Sequence, residues 1–264
     1  MTGIAVAATA PFGADVLQRL ARDHEIEYVL TRPDRAQGRG RRVAPPPAKE
    51  AAERPGLPVR QPERLDESFD LEVDTLVVVA YGQLVPAALL ERARWLNVHP
   101  SLLPRWRGAA PIERALMAGD RELGVTIIEL VEELDAGPIA AQTAWQAGPD
   151  DDAGAVFSRA AELTPALIGE ALGNDVPEPQ PGEGITYADK IGPADRELDW
   201  SRPAQELHNR IRALSPHIGA RGVLDGRPLI VWRSRVVDGE LELLEVQPDG
   251  RRRMTYEEYR RGLR

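Results

Sequence analysis

Four short apolar runs punctuate the first hundred residues: GIAVAA from Gly3, IEYVLT from Ile26, DTLVVVAYG from Asp74 and WLNVH from Trp95. The third is apolar at every position from Leu76 to Ala80. A strand of that kind must be covered on both faces, the situation of a parallel sheet flanked by helices. Between the first two runs, FGADVLQRLARDH sets Val16, Leu17 and Leu20 at helical spacing. LPV, from Leu57, begins a further short strand. Strands alternating with helices predict a doubly wound, mostly parallel, Rossmann-like α/β sheet. Further on, APIERALMAGD reads as a short helix stopped by Gly119. GVTIIEL and PIAAQTAW read as strands flanking the turn VEELDAG, centred on Asp135 to Gly137. DDDAGAVFSRAAELTPALIGEALG reads as a helix that Pro165 should interrupt or kink.

The large first domain is expected over residues 1–173. NDVPEPQPGEG, residues 174–184, has three prolines and no core pattern, so it reads as a linker. Residues 185–264 form a smaller domain, in which Ser201 is expected to cap a helix across RPAQELHNRIRAL. Two Asp-Gly pairs then divide RGVL-DG-RPLIVWRSRVV-DG-ELELLEV into a three-stranded meander. That amounts to a partial β-barrel, whose Leu229, Val231, Leu241 and Leu243 should pack on the helix or on the first domain. The basic, Gly- and Pro-rich stretch RPDRAQGRGRRVAPPPAKE offers no regular element before about Pro47.

Composition removes several functional classes. There are no cysteines, and the four histidines stand apart at 24, 99, 208 and 217, so no metal is expected. No apolar run approaches the ~20 residues that span a bilayer. The first residues lack the basic start of a signal peptide, so a cytoplasmic protein is expected. A net charge of −9 argues against general nucleic-acid binding. Yet Arg32 to Lys49 carries five Arg and one Lys against one Asp, and Gln247 to Arg264 carries six Arg against three acids. Two basic islands on an acidic chain suggest a confined contact with an anionic partner; the alternative is ordinary solvated charge.

The densest chemistry lies in LNVHPSLLPRWRGAAP, from Leu96. Side chains alternate along a strand, so Asn97 and His99 share a face at the carboxyl end of theirs, where open α/β sheets bind ligands. An amide donor beside an imidazole suits the stabilisation of a developing oxyanion. Asp135 is the candidate acid–base group. The alternative is that Asn97 and His99 only tie down local loops.

NVHPSLLPRWRG and GVTIIELVEELDAGPIAAQ resemble the two signatures of the 10-formyltetrahydrofolate-dependent formyltransferases. TRPDRAQGRGRR, VVVAYGQLVP, SLLPRWRGAAPI, YADKI and LDWSRPAQELHNRIRAL resemble the branch that acts on methionyl-tRNA. The resemblance implies 10-formyltetrahydrofolate as cosubstrate, initiator methionyl-tRNA as partner, no metal, and a monomer. It implies that Asn97 and His99 hold the oxyanion while Asp135 orients His99 and accepts the amine proton. Ser101, Leu102, Leu103 and Pro104 would line the folate site, with Tyr81 and Gly82 bordering the pterin pocket. Arg39, Arg41 and Arg42 would reach the acceptor end of the tRNA. The chain departs from the pattern in two places: the first turn, AATAPFGA, and the short link Asp238-Gly239-Glu240 where the family has further strands.

Three alternatives share parts of this pattern. A sugar-nucleotide N-formyltransferase or formyltetrahydrofolate hydrolase would share Asn97, His99 and Asp135 without needing the arginine-rich loop. A non-catalytic RNA-binding protein on the same fold would be expected to lose one of the three. A dinucleotide-binding protein would need a G-x-G-x-x-G opening its first helix, and none is there.

Overall fold

The computed structural model describes residues 3–37 and 42–262. In chain order the first part forms β1 (Ile4–Ala8), α1 (Pro11–Asp23), β2 (Ile26–Leu30), β3 (Arg35–Gln37), β4 (Arg42–Ala44), α2 (Pro47–Glu53), β5 (Val59–Arg60), β6 (Thr75–Val79) and α3 (Ala87–Leu90). Next come β7 (Arg94–His99), β8 (Arg107–Gly108), α4 (Pro111–Ala118), β9 (Glu122–Glu129), β10 (Ile139–Gln146) and α5 (Ala153–Leu172). Seven strands make one sheet in the order β10-β9-β7-β6-β1-β2-β5. The run from β7 to β5 is parallel throughout, and β9 lies antiparallel to β7. The mostly parallel sheet expected from the apolar runs is therefore present.

The chain fills this sheet outward from its middle. It leaves β1 toward β2 and β5, then returns to place β6 on the other side of β1 and builds toward β7 and β9. The order reverses between β1 and β6, and a crevice outside the carboxyl ends of the strands opens at such a point. Every residue of β1 is buried, as are Leu76 to Val79 of β6. Each Ile, Val or Leu side chain among them contributes roughly 1.5–3 kcal/mol when withdrawn from water. Leu30, Leu65, Leu76, Leu89 and Trp95 form one continuous core with Tyr28, whose hydroxyl donates to the Leu71 carbonyl at 2.6 Å. Gly13 lets α1 lie close to the sheet: a Cβ there would stand 2.5 Å from the Val79 carbonyl oxygen.

Two compact units result. One comprises Met1–Arg107, Gly124–Thr143 and Ser158–Ile185; the other comprises Gly108–Leu123, Ala144–Phe157 and Thr186–Arg264. The second contains β11 (Tyr187–Ala188), α6 (Ala204–Ala213), β12 (Ala220–Leu224), β13 (Arg227–Val237), β14 (Glu240–Pro248), β15 (Met254–Thr255) and α7 (Tyr256–Arg261). Leu207 and Ile211 of α6 pack with Leu229, Val231 and Val246, and Leu241 and Leu243 join them partly buried. The apolar face read from the meander thus meets the helix as expected. Both Asp-Gly pairs sit in the left-handed region, Asp225 at φ 50° and Asp238 at φ 52°, each followed by a positive-φ glycine. This conformation matches the twist of a two-residue hairpin.

Several local expectations need correction. The arginine-rich stretch does hold regular structure, since β3 and β4 pair antiparallel with Arg35 opposite Ala44 and Gln37 opposite Arg42. Pairing uses backbone groups alone and leaves no apolar period to read. α5 runs unbroken through Pro165, and Thr164 turns its hydroxyl onto the Ala160 carbonyl at 2.8 Å. Ser201 does not cap α6: its hydroxyl and N–H both go to Asp199, at 2.7 and 3.0 Å, and Pro203 holds the N-cap position. The small sheet has four strands, not three, because Met254–Thr255 adds β15 along Glu245 and Val246. Within the arginine-rich tail, Arg253 is taken by the fold itself. Its guanidinium stacks 3.4 Å from the Trp232 ring centroid and donates to the Pro216 carbonyl.

The Gly13 approach gives a direct test. Gly13→Ala should destabilise the protein by about 1–3 kcal/mol through overpacking. Gly169→Ala, on an exposed turn of α5 with open space around the new methyl, should stabilise it by roughly 0.4–1 kcal/mol. Thermal unfolding of the two variants beside the parent chain measures both.

Candidate active site

β7 presents Asn97 and His99 on one face at its carboxyl end, with His99 buried and Asn97 half-buried. The His99 Nε2 lies 2.8 Å from the Trp106 carbonyl oxygen. A carbonyl only accepts, so the ring carries a proton on Nε2. Its Nδ1 faces Asp135 Oδ2 at 3.6 Å, and Asn97 Nδ2 donates to Asp135 Oδ1 at 3.5 Å. One carboxylate thus stands between the amide and the imidazole. Burial pushes the His99 pKa below its ordinary value, against the pull of the Asp135 carboxylate and the Trp106 carbonyl. With the Nε2 proton directed at the Trp106 carbonyl, Nδ1 is the ring atom that faces Asp135.

Asp135 reaches this position by a tightly closed turn. Leu130 N–H donates to the Trp95 carbonyl at 2.8 Å and Glu129 N–H to the Pro138 carbonyl at 3.0 Å, which closes the neck. Gly137 passes so near Glu129 that a Cβ would stand 1.7 Å from its carbonyl oxygen. Asp135 itself adopts φ 49°, and Ala80 and Trp106, also beside the carboxyl ends of β6 and β7, take φ 47° and 66°. Left-handed non-glycine residues are uncommon and cluster at functional sites.

Gln180 fastens the turn from outside. Its Nε2 donates to the carbonyls of Asp135 at 2.7 Å and Gly137 at 2.8 Å, while its Oε1 accepts from Arg107 Nε and Nη2 at 3.1 and 2.8 Å. The Arg107 side chain is buried and also pairs with Glu133 at 3.3 Å. Segment 174–184 is anchored again where Glu178 and Ile139 exchange backbone bonds at 2.7 and 2.9 Å. Gln180 and Arg107 had no assigned role in the sequence. An amide between two prolines has no periodicity to betray it, although Arg107 does lie in the quoted RWRG.

The loop Ser101–Pro104 is held by Thr126, the register partner of His99 on β9. Its hydroxyl donates to the Ser101 carbonyl at 2.6 Å and accepts from Leu103 N–H at 3.2 Å and Gln142 Nε2 at 2.7 Å. Ser101 turns its own hydroxyl to the Arg105 carbonyl, 2.7 Å away. Leu103 is buried, whereas Leu102 and Pro104 keep partial exposure. Tyr81 lies in the core, its pKa pushed up to about 12 by burial, while the adjoining Gly82 is exposed at φ 75°. The structure thus gathers Asn97, His99 and Asp135 into one cluster and puts Ser101–Pro104 beside it. Arg39 and Arg41 lie outside the described residues, as does the side chain of Arg42, whose backbone opens β4. Among the described residues no group of three or more acidic or histidine side chains could hold a metal ion, and no helix is long and apolar enough to cross a membrane.

A sheet that reverses beside an Asn–His–Asp cluster fits an enzyme with its site at the carboxyl ends of the strands, and comparison with known proteins gives the class. Residues 3–172 match the formyl transferase family and residues 190–242 its C-terminal domain, so this chain belongs to the formyl transferase family. Among curated proteins it is similar to the methionyl-tRNA formyltransferase of Paracoccus denitrificans, 42% identical over 97% of this chain and 95% of that one. The methionyl-tRNA formyltransferase structure from Clostridium thermocellum shares the fold, with a TM-score of 0.69 at 16% identity, over 94% of this chain and 99% of that one. So does HypX from Aquifex aeolicus, solved with tetrahydrofolic acid, at a TM-score of 0.66 and 18% identity; this chain spans 46% of that longer protein.

Two measurements test the geometry. Gln180→Leu should lower kcat by roughly 10–100-fold through displacement of Asp135, with a smaller change in the Michaelis constants. Gln180→Glu keeps the acceptor for Arg107 but removes both donors to the turn, so it should fail like Leu; near-parent kcat in Gln180→Glu would show that the turn stands without them. Histidine NMR should place the His99 midpoint below the ordinary 6.5 or so. Asp135→Asn removes the charge that pulls it upward, so the midpoint should move lower still.

Proposed function

We propose that the chain transfers the formyl group of 10-formyltetrahydrofolate to the α-amine of methionyl-initiator tRNA. The observation that carries this reading is the Asp135 carboxylate set between Asn97 and His99, in a chain so similar over its length to methionyl-tRNA formyltransferases. A free α-amine has a pKa near ~7.7–8.0, so a nucleophilic fraction exists at neutral pH. It attacks the formyl carbon, the C=O electrons move onto oxygen, and the tetrahedral oxyanion meets the second N–H of Asn97.

The geometry supports a proton route. As the amine becomes positive on attack, Asp135 takes its proton and shares it with His99 Nδ1, which is vacant because the ring proton is held on Nε2 by Trp106. The imidazolium so formed places a positive charge near the oxyanion. Collapse breaks the bond from carbon to N10, and the same proton returns to that nitrogen. Atoms and charge balance without a further reactant. Ser101 to Pro104, with Gly82, would border the folate, and Thr126 keeps that wall in register with His99. The arginines of the 32–49 stretch, Arg39, Arg41 and Arg42 among them, would contact the tRNA phosphates, in a monomeric cytoplasmic enzyme of domains 1–173 and 185–264.

The test is an assay with 10-formyltetrahydrofolate and methionyl-initiator tRNA, beside uncharged tRNA and folate alone. Formylmethionyl-tRNA should appear only with the charged tRNA. Asn97→Ala should lower turnover by about 10²–10³, the usual loss of one oxyanion donor. Folate hydrolysis at the same rate without tRNA would sink the reading.

A further inference from the structure

Three buried side-chain polar atoms lack a hydrogen-bond partner among the described residues: Arg32 Nε, Tyr81 Oη and Tyr259 Oη. Buried donors are almost always satisfied, so an unsatisfied pair in one place calls for an explanation. Arg32 follows β2 and Tyr81 follows β6, on either side of β1, where the strand order reverses. Thr9, following β1, joins them: its hydroxyl donates to the Tyr81 carbonyl at 2.7 Å and lies 3.5 Å from the Thr31 hydroxyl. The Arg32 guanidinium lies along Gly82, where a Cβ would come 3.7 Å from Nη1, and its charge acts on the Tyr81 hydroxyl.

No carboxylate neutralises this cation among the described residues. The nearest acid in sequence, Asp34, is held by Lys49 through both oxygens at 2.9 Å and by Gln61 at 2.8 Å. Gln61 also fixes the Arg32 backbone, donating to its carbonyl at 2.8 Å. The uncapped N-terminus of α1 follows β1 at the same edge and has no acidic residue in its first turn, so the local field stays positive.

We infer that Arg32 is the anchor of an oxyanion subsite at the reversal point, and that its ligand is the phosphate of the terminal nucleotide of the acceptor strand. This rests on the tRNA reading above. Arg32 stands three strands from β7, roughly 14 Å by interstrand spacing, before its own side chain reaches back. An aminoacyl ester, a ribose and its phosphate extend over a comparable distance from the amine at Asn97. In sequence Arg32 opens the basic stretch that continues to Lys49, and β3 follows it directly. The folate also carries carboxylates, and the experiment separates the two sources.

AMP and adenosine are titrated by calorimetry against the full chain, Arg32→Gln and Arg32→Lys, without folate or tRNA. The parent should prefer AMP by about tenfold or more, the value of one charge-assisted hydrogen-bonded contact. Arg32→Lys should keep part of that preference and Arg32→Gln none. Thermal unfolding of Arg32→Gln should match the parent, because the side chain loses no hydrogen-bond partner among the described residues. Absence of an AMP preference in the parent, or its persistence in Arg32→Gln, overturns the subsite. In steady-state formylation, Arg32→Gln should raise the KM for methionyl-tRNA about tenfold and flatten the salt dependence by roughly 0.7–0.9 in the log–log slope. A rise in the folate KM instead assigns the anion to the folate and overturns the acceptor-end assignment. A parent that prefers AMP but forms no formylmethionyl-tRNA sinks the tRNA reading and leaves the subsite standing.

Discussion

The site depends on a neck. Where the turn after β9 closes, Gly137 passes the Glu129 carbonyl at a separation that leaves no room for a β-carbon. That closure returns the chain toward β7 and delivers Asp135 to both Asn97 and His99, although the turn departs beside Trp95. A wider neck would place the carboxylate elsewhere. Gln180 then locks the turn by answering two carbonyls with its donors and a buried guanidinium with its acceptor. A neutral amide serves here where a carboxylate would leave carbonyls facing an anion.

His99 shows how the environment fixes a role. Between a backbone carbonyl and a carboxylate, both of which favour the charged ring, burial pulls its pKa the other way, below the ordinary value. The balance lets the pair take up a proton during reaction and release it afterwards, which a permanently charged histidine could not do. The tautomer follows from Trp106, whose left-handed backbone aims its carbonyl at Nε2. Strain in the main chain is thus coupled to the location of one proton.

Much of this was legible in the sequence, for identifiable reasons. Apolar runs and their alternation with helices disclose a parallel sheet, because both faces of β1 and β6 must be dry. A period of two places Asn97 and His99 together without any knowledge of the fold. Asp135 is marked by its turn and by the family resemblance. The illegible parts are those made by backbone or by lone polar groups. β3 and β4 pair through main-chain atoms within a Gly- and Arg-rich stretch, and Ser201 was captured by Asp199 two residues earlier. Gln180 acts across forty-five positions of sequence on Asp135, with nothing local to mark it.

The small sheet carries a consequence of another kind. β15 covers β14 only at Glu245 and Val246, so the outer edge of β14 from Glu240 to Leu243 meets no other strand among the described residues. Unpaired edges are templates for intermolecular pairing, and solubility depends on how they are guarded. Here Glu240 and Glu242 alternate with leucines that join the small core, and Glu242 is already held by Arg235 of β13 at 2.6 Å, so a second copy approaching this edge meets a charged side chain at every other residue. An apolar strand could extend this sheet only by burying those charged groups, so the edge that the fold leaves open is one that another chain gains little by joining.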